Sequence, residues 1–204
     1  QTIVVLNVSN IIDMSWLDSG RFRHPIRCVI YAWHGGMEGG NAIADVLAGD
    51  VTPSGKLTDT IARSIDDYPS TRNYGDEFRN YYQEDIYVGY RYFETFCPDK
   101  VLFPFGYGIS YTTFRIEPEE ARLAIRDGEK RISLGVTVTN TGTEYAGREV
   151  VQLYYEAPQG KLGRPARELA AFAKTRLLGP GESERLVLEF PVRRMAAYDD
   201  GGAT

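Results

Sequence analysis

Cysteine and histidine are scarce in this chain of 204 residues, and their scarcity excludes several kinds of site. Two cysteines, Cys28 and Cys97, are too few for a disulfide framework or a cysteine-rich zinc site. The only histidines are His24 and His34, and no second histidine or cysteine stands at metal-ligand spacing beside either one. We therefore expect no metal site.

Basic charge and long apolar runs are missing too. Lys plus Arg number 23 against 28 Asp plus Glu, a net charge of −5 that disfavours nucleic-acid binding, since phosphates require a basic face. The first apolar stretch, residues 3–6, is far too short to span a bilayer, and no signal-peptide pattern is present. We expect no nucleic-acid or membrane partner. The compartment stays open, with the bacterial cytoplasm slightly favoured.

Tyrosine and glycine are abundant, at 14 and 21 residues, which suggests half-buried strands joined by tight turns. The chain begins inside an apolar, strand-like run at residues 2–8 and ends on a turn-like sequence at 199–204. We therefore expect it to be a piece of a longer protein.

The first third has an α/β pattern. Residues 3–8 and 28–33 are apolar runs without polar alternation, typical of parallel strands covered on both faces. A short crossover helix is predicted at 11–17. A second helix is predicted at 41–48, with Asn41 as its N-cap and Gly49 as its end.

The glycine-rich loop at residues 35–40 lies between the second strand and this helix. Its order does not fit G-x-G-x-x-G or a P-loop, and Glu38 would repel an anion. We reject nucleotide binding, expect a tight turn that needs backbone freedom, and assign no cofactor.

The sequence pattern changes after the first third of the chain. Residues 66–79 read as an irregular connection, and residues 81–96 are dense in aromatic side chains, with Glu84 and Asp85 predicted at a strand start. Proline and glycine preclude a continuous helix at 103–108. Short alternating strands, typical of an antiparallel β-sandwich, are predicted at 121–125, 132–139, 150–155, 169–174 and 186–190.

Several residues could carry chemistry, but each also has an ordinary structural role. His34 follows a predicted parallel strand, where α/β sheets bind ligands, yet no nucleophile elbow accompanies it and a hydrogen-bonded loop histidine is favoured. Trp33 and the tyrosines fit sugar stacking, and a sandwich core or a domain interface equally well. Spacing does not single out a catalytic pair among the carboxylates, which include Glu38, Asp45, Asp50, Asp59, Glu84, Asp85 and Glu94.

Ordered motifs over nearly the whole chain resemble glycoside hydrolase family 3. YAWHGGMEGGNAIADVLAGD at 31–50 and PSGKL at 53–57 are similar to the later part of its α/β-sandwich domain. EDIYVGYRYF at 84–93 and FPFGYGISYTTF at 103–114 match the stretch leading out of that domain. VTNTG at 138–142, AGREVVQLY at 146–154, LAAF at 169–172 and LGPGE at 178–182 resemble its fibronectin-III-like domain.

The resemblance implies an α/β plus all-β fold: a partial α/β-sandwich domain at 1–64, an aromatic-rich connection at 65–115, and a fibronectin-III-like β-sandwich at 116–204 that ends early. It implies a retaining β-glucosidase whose nucleophile lies in a (β/α)₈ barrel and whose acid/base glutamate lies upstream, so no catalytic residue is assigned here. Trp33, His34 and Glu38 are the candidates for lining the barrel-facing, substrate-binding side.

Two functional hypotheses follow. In the first, the chain supplies scaffold and interface to a β-glucosidase, with a β-glucoside or oligosaccharide as substrate and the barrel of the same enzyme as partner. In the second, it is a non-catalytic carbohydrate-binding or interaction module that uses the aromatic segment at 81–96. A homo-oligomer is left open in both.

Overall fold

The chain folds into two compact units in the computed structural model, which describes residues 2–199 and 201–202. The first unit runs as far as Val51 and resumes from Leu57 to Tyr107. The second unit takes Thr52–Lys56 together with the chain from Gly108 onward. A short segment from the first half of the sequence thus belongs to the second unit.

A pair of parallel strands, β1 (Thr2–Leu6) and β2 (Ile26–Tyr31), begins the first unit. Their β-branched residues favour an extended backbone, and the parallel pairing predicted from the sequence is confirmed. The crossover helix predicted at 11–17 is wrong, because the connection forms only a 3₁₀ helix at Ser15–Asp18.

These two strands are much more exposed than their sequence predicts. Ile3 and Val5 keep 49% and 37% of their surface accessible, so the expectation that both faces are covered is wrong for this chain. The cause is the number of neighbours: β1 and β2 pair only with each other within residues 2–199 and 201–202. The apolar residues therefore predict the two strands correctly, but they do not predict how exposed these strands are.

Helix α1 (Gly39–Ala48) follows the glycine loop and begins two residues earlier than predicted. The N-cap is Glu38, and its side chain makes no capping hydrogen bond, so the assignment of Asn41 as N-cap is wrong. Asn41 instead sits in the first turn, where its amide donates to the Glu38 carboxylate. The predicted end is confirmed, because Gly49 adopts φ 89°, the left-handed conformation that closes a helix.

The remainder of the first unit is mostly irregular, as the prediction for 66–79 anticipated. Strands β3 (Ile61–Ala62) and β4 (Val101–Phe103) form a short antiparallel pair, and helix α2 (Tyr90–Phe96) lies between them in the chain. The strand predicted to start at Glu84 is therefore wrong. Gly89, at φ 61°, precedes a helical turn that buries Phe93.

The second unit is an antiparallel β-structure of two sheets, with all five predicted strands present. The strands are β5 (Phe114–Pro118), β6 (Arg122–Arg126), β7 (Glu129–Asn140), β8 (Val150–Tyr155), β9 (Glu168–Lys174) and β10 (Ser183–Pro191). The long β7 pairs with β5, β6 and β10, while β8 pairs with β9. Strand β5 was not predicted, because it is short and ends on a proline.

The core of the second unit lies between these sheets. Five residues from three strands and one connecting segment are almost fully buried there: Val136, Val138, Val151, Leu178 and Leu188. On β7 the buried valines alternate with more exposed residues, so one face of the strand points inward. Area removed from water at these positions is the main stabilising contribution to the unit.

Asn140, at the end of β7, is a fully buried polar residue with complete hydrogen bonding. Its side-chain oxygen accepts from the Thr112 hydroxyl at 2.6 Å and from the Gly142 N–H at 3.0 Å. Its side-chain nitrogen donates to the carbonyls of Tyr145 and Leu178 at 2.9 and 2.8 Å. One amide group thus joins four separate positions around the end of the sandwich.

Candidate functional site

The end of β2 holds an aromatic pair formed by Tyr31 and Trp33. Their ring centroids are 4.4 Å apart with the planes inclined at 46°. Trp33 has φ 54°, which is rare for a bulky residue, so its backbone conformation is imposed by the surrounding structure. The carboxyl end of a parallel strand is where α/β sheets place ligand-binding residues.

Tyr31 is anchored at its hydroxyl end. The hydroxyl donates to the Asn10 carbonyl at 2.7 Å, a contact made across the loop between β1 and β2. Burial raises the pKa of the Tyr31 phenol, and the nearby Asp59 carboxylate adds to the increase. The ring therefore stays neutral at physiological pH and gives Trp33 a fixed surface.

Asp59 is a carboxylate of this region with no role predicted from its sequence position. Its charge also raises the pKa of Tyr68, although burial is the larger cause. The Tyr68 hydroxyl donates to the Thr60 carbonyl at 2.8 Å and accepts from the Ala62 N–H at 2.9 Å. These bonds fix the backbone directly after Asp59. Nothing in sequence spacing signals its approach to Tyr31.

The glycine loop between β2 and α1 is a tight turn, as predicted. The Gly39 N–H donates to the Gly36 carbonyl at 2.9 Å. A Cβ placed on Gly35 would lie 2.8 Å from the Gly39 Cα, so that only glycine fits at position 35 without displacing the helix start. A Cβ on Gly36 would meet open space. The close approach of the Gly39 backbone is therefore the reason that position 35 requires glycine.

The three predicted substrate-side residues lie in this one loop but in different environments. Trp33 is half-buried against Tyr31, whereas His34 and Glu38 are exposed. Glu38 accepts a hydrogen bond from Asn41. The Trp33 and Tyr31 rings therefore pack against each other. The His34 and Glu38 side chains lie on the surface.

An open cleft lies at the opposite end of the β1–β2 pair. Its volume is about 420 Å³, and apolar Val4, Trp16, Phe22 and Ile26 line it together with Thr2, Arg23 and His24. Because Thr2 and Ile26 start their strands while Tyr31 ends β2, the cleft is separate from the aromatic pair. His24 thus belongs to the cleft and His34 to the loop.

Across residues 2–199 and 201–202, no three histidine, cysteine, aspartate or glutamate side chains are grouped closely enough to hold a metal ion. Within the same residues, neither helix has the length and apolar character needed to cross a bilayer.

Known families match most of the chain. The model of the glycosyl hydrolase family 3 C-terminal domain matches residues 1–111, and that of the fibronectin type III-like domain matches residues 149–204. Both matches agree with the fold class expected from the sequence. The chain is also similar to individual curated proteins and to solved structures.

Two curated relatives match almost the whole chain. Beta-glucosidase A of Butyrivibrio fibrisolvens is 50% identical over 98% of the chain, and the beta-glucosidase of Ruminococcus albus is 48% identical over 99%. The chain spans only 25% and 20% of those two proteins. It therefore corresponds to one part of a much longer relative.

Solved structures give the same result. A beta-glucosidase from Paenibacillus barengoltzii is 62% identical with a TM-score of 0.94, covering 100% of this chain and 22% of that one. Beta-glucosidase 3B from Thermotoga neapolitana, solved in complex with glucose, is 44% identical with a TM-score of 0.81, covering 97% of this chain and 27% of that one. The resemblance inferred from the motifs is confirmed, and the chain belongs to glycosyl hydrolase family 3.

Proposed function

We propose that this chain is a piece of a retaining β-glucosidase that releases terminal β-D-glucosyl residues. Within that enzyme the chain supplies scaffold and interface, and a separate (β/α)₈ barrel carries the nucleophile. The proposal rests on one observation: the chain matches beta-glucosidases over 98–100% of its own length, but it spans only 20–25% of theirs.

The chemistry requires a second part of the protein. Retaining hydrolysis uses two carboxyl groups about 5 Å apart, one as nucleophile and one as acid/base. In our proposal both lie outside the 204 residues. Glu38 is placed on the substrate side but not in a catalytic role, and its carboxylate accepts a hydrogen bond from the Asn41 side chain.

Trp33, His34 and Glu38 form the proposed substrate-binding side of the chain. The constrained Trp33 ring offers a flat surface for the C–H face of a glucosyl ring, and its packing on Tyr31 reduces the side-chain freedom lost on binding. His34 and Glu38 offer exposed hydrogen-bonding groups in the same loop. The barrel of the same enzyme is the proposed partner of this loop.

The test is hydrolysis of an aryl β-glucoside by a full-length protein carrying this chain, next to the 204-residue chain alone. The full-length protein is expected to turn over and the chain is not. Trp33→Ala in the full-length protein is expected to raise KM about fivefold, since a stacking contact contributes on the order of 1 kcal/mol. Trp16→Ala, in the separate cleft, is the matched control with KM unchanged.

The domain limits 1–64, 65–115 and 116–204 remain a prediction. Apart from the Thr52–Lys56 segment, which belongs to the second unit, the compact units support one main boundary near Tyr107, since the aromatic-rich residues of 65–107 belong to the first unit. Limited proteolysis tests both descriptions. Early cleavage on each side of 65–115 supports three segments, and early cleavage near 107–113 alone supports two. Self-association likewise remains a prediction, to be measured by analytical ultracentrifugation.

The second candidate is a non-catalytic carbohydrate-binding module built on the aromatic segment 81–96. Most rings of this segment contact each other: Tyr87 and Tyr92 lie 4.8 and 5.6 Å from Phe96, and Phe93 is 1% exposed. Phe93 is the buried member of this group, whereas Phe96 remains 57% exposed. Tyr81 and Tyr82 are 51% and 88% exposed, and Tyr82 belongs to a loop with two further exposed rings.

A further inference from the structure

Three aromatic side chains project from one loop of the first unit almost completely into solvent. Tyr74 is 92% exposed, Phe78 is 91% exposed and Tyr82 is 88% exposed. Single exposed apolar residues are common on protein surfaces and need no explanation. Three large exposed rings within nine residues are unusual and indicate a binding surface.

The loop that carries these rings is closed by hydrogen bonds. The Asn73 side chain donates to the Tyr81 carbonyl at 2.9 Å, which joins the two ends of the loop. Asp76 accepts from the N–H groups of Phe78 and Arg79, both at 2.9 Å. Compact loops whose ends meet in this way are frequently functional, because the closure sets where their side chains lie.

The side-chain chemistry of the loop fits a neutral, polyhydroxylated ligand. Tyrosine and phenylalanine rings pack on sugar C–H faces, and the phenol groups add hydrogen-bond partners at the ring edge. Asp76, Glu77 and Arg79 leave the loop with net negative charge, which disfavours phosphorylated ligands. A purely apolar partner would leave these charged groups in contact with its surface without compensation.

We propose that Tyr74, Phe78 and Tyr82 form a saccharide-binding surface for β-linked glucan chains, distinct from the Trp33 loop. The choice of a β-glucan as ligand rests on the proposed function. The surface would hold a glucan chain beyond the single residue that is cleaved, so it would act on oligosaccharides and leave small aryl glucosides unaffected.

Isothermal titration of the 204-residue protein with cellotetraose and with laminaritetraose tests the proposal directly. Saturable binding of at least one of the two is expected. Each of Tyr74→Ala, Phe78→Ala and Tyr82→Ala should weaken binding about threefold to tenfold, and the triple variant should abolish it. Phe172→Ala is the matched control, because this ring is 68% exposed in the other unit and its removal should change nothing.

The proposal would be overturned by absence of saturable binding to both sugars, or by binding of the triple variant equal to that of the unsubstituted protein. Binding by the chain but not by the full-length protein would also overturn it and assign the rings to a contact with another part of the enzyme. Unchanged thermal unfolding of the triple variant excludes a folding defect. Failure of the full-length protein to hydrolyse an aryl β-glucoside would refute the proposed function separately.

Discussion

Lys56 and Glu149 form an ion pair in the second unit, with the Lys56 Nζ 2.9 Å from the Glu149 Oε1 although the residues are 93 positions apart. Their side chains are only 16% and 12% exposed. Lys56 also donates to the Gly108 carbonyl at 2.8 Å, and Glu149 accepts from the Val150 N–H at 2.7 Å. The pair fastens the Thr52–Lys56 segment to the β-sandwich.

Breaking this pair from one side should destabilise the second unit. Glu149→Leu leaves the mostly buried Lys56 charge unpaired, so we expect a loss of about 3 kcal/mol in the free energy of unfolding. The double variant Lys56→Met with Glu149→Leu should lose less than the single one, because no unpaired charge remains. Urea unfolding followed by circular dichroism measures both. A double variant less stable than Glu149→Leu alone would contradict this account.

Asn140 should be the most sensitive polar position of the sandwich. Asn140→Ala removes four side-chain hydrogen bonds at a fully buried site, and we expect a loss of about 2–4 kcal/mol. Thr139→Ala is the matched control, since its hydroxyl pairs with Ser183 on the exposed side and its removal should cost below about 1 kcal/mol. Equal losses in the two variants would show that Asn140 is not the junction described here.

The glycine loop offers a test with a matched neighbour. Gly35→Ala places a Cβ 2.8 Å from the Gly39 Cα, so the start of α1 must shift and about 1–3 kcal/mol of stability should be lost. Gly36→Ala meets open space and should change stability by less than about 1 kcal/mol. Thermal unfolding compares them. If Gly36→Ala proves the more harmful, the close approach at Gly35 is not the constraint.

Tyr68 should make the first unit sensitive to high pH. Burial is the main reason that the pKa of its phenol lies above the ordinary value of 10.0. The folded state therefore holds the phenol proton more tightly than the unfolded state does. Its stabilising contribution is complete below pH 10 and is lost as the pH rises through the folded value.

Tyr68→Phe should remove this alkaline dependence along with two hydrogen bonds, at a cost of about 1–2 kcal/mol at neutral pH. Tyr74→Phe, at a 92% exposed ring, is the control with no change in stability. Urea unfolding at several pH values from neutral to strongly alkaline gives the comparison. An identical pH profile in Tyr68→Phe and the unsubstituted protein would rule out the mechanism.

Local patterns predicted the parts of this fold in which local chemistry decides the outcome. Alternation located β8 at Val150–Tyr155, and Gly49 ended α1 as a left-handed cap. The pattern misplaced the start of α1, because the Asn41 side chain bonds to Glu38 within the first turn rather than capping it. In each case the deciding interaction spans only a few residues.

Relationships across long sequence distances were not predictable. The approach of Asp59 to Tyr31 and the exposure of Ile3 each depend on which elements meet in space. The identity of the family was accessible from motifs, since those depend on residue order alone. The geometry of the candidate site required the structure.

The central claim is that the catalytic nucleophile lies outside these 204 residues. It is tested most directly by treating a full-length protein containing this chain with a 2-deoxy-2-fluoro-β-glucoside, which traps the covalent glycosyl-enzyme, and by mapping the label with mass spectrometry. We predict a single label on an aspartate outside this sequence, and no label on the isolated chain. A label on any aspartate or glutamate of the chain would contradict the account.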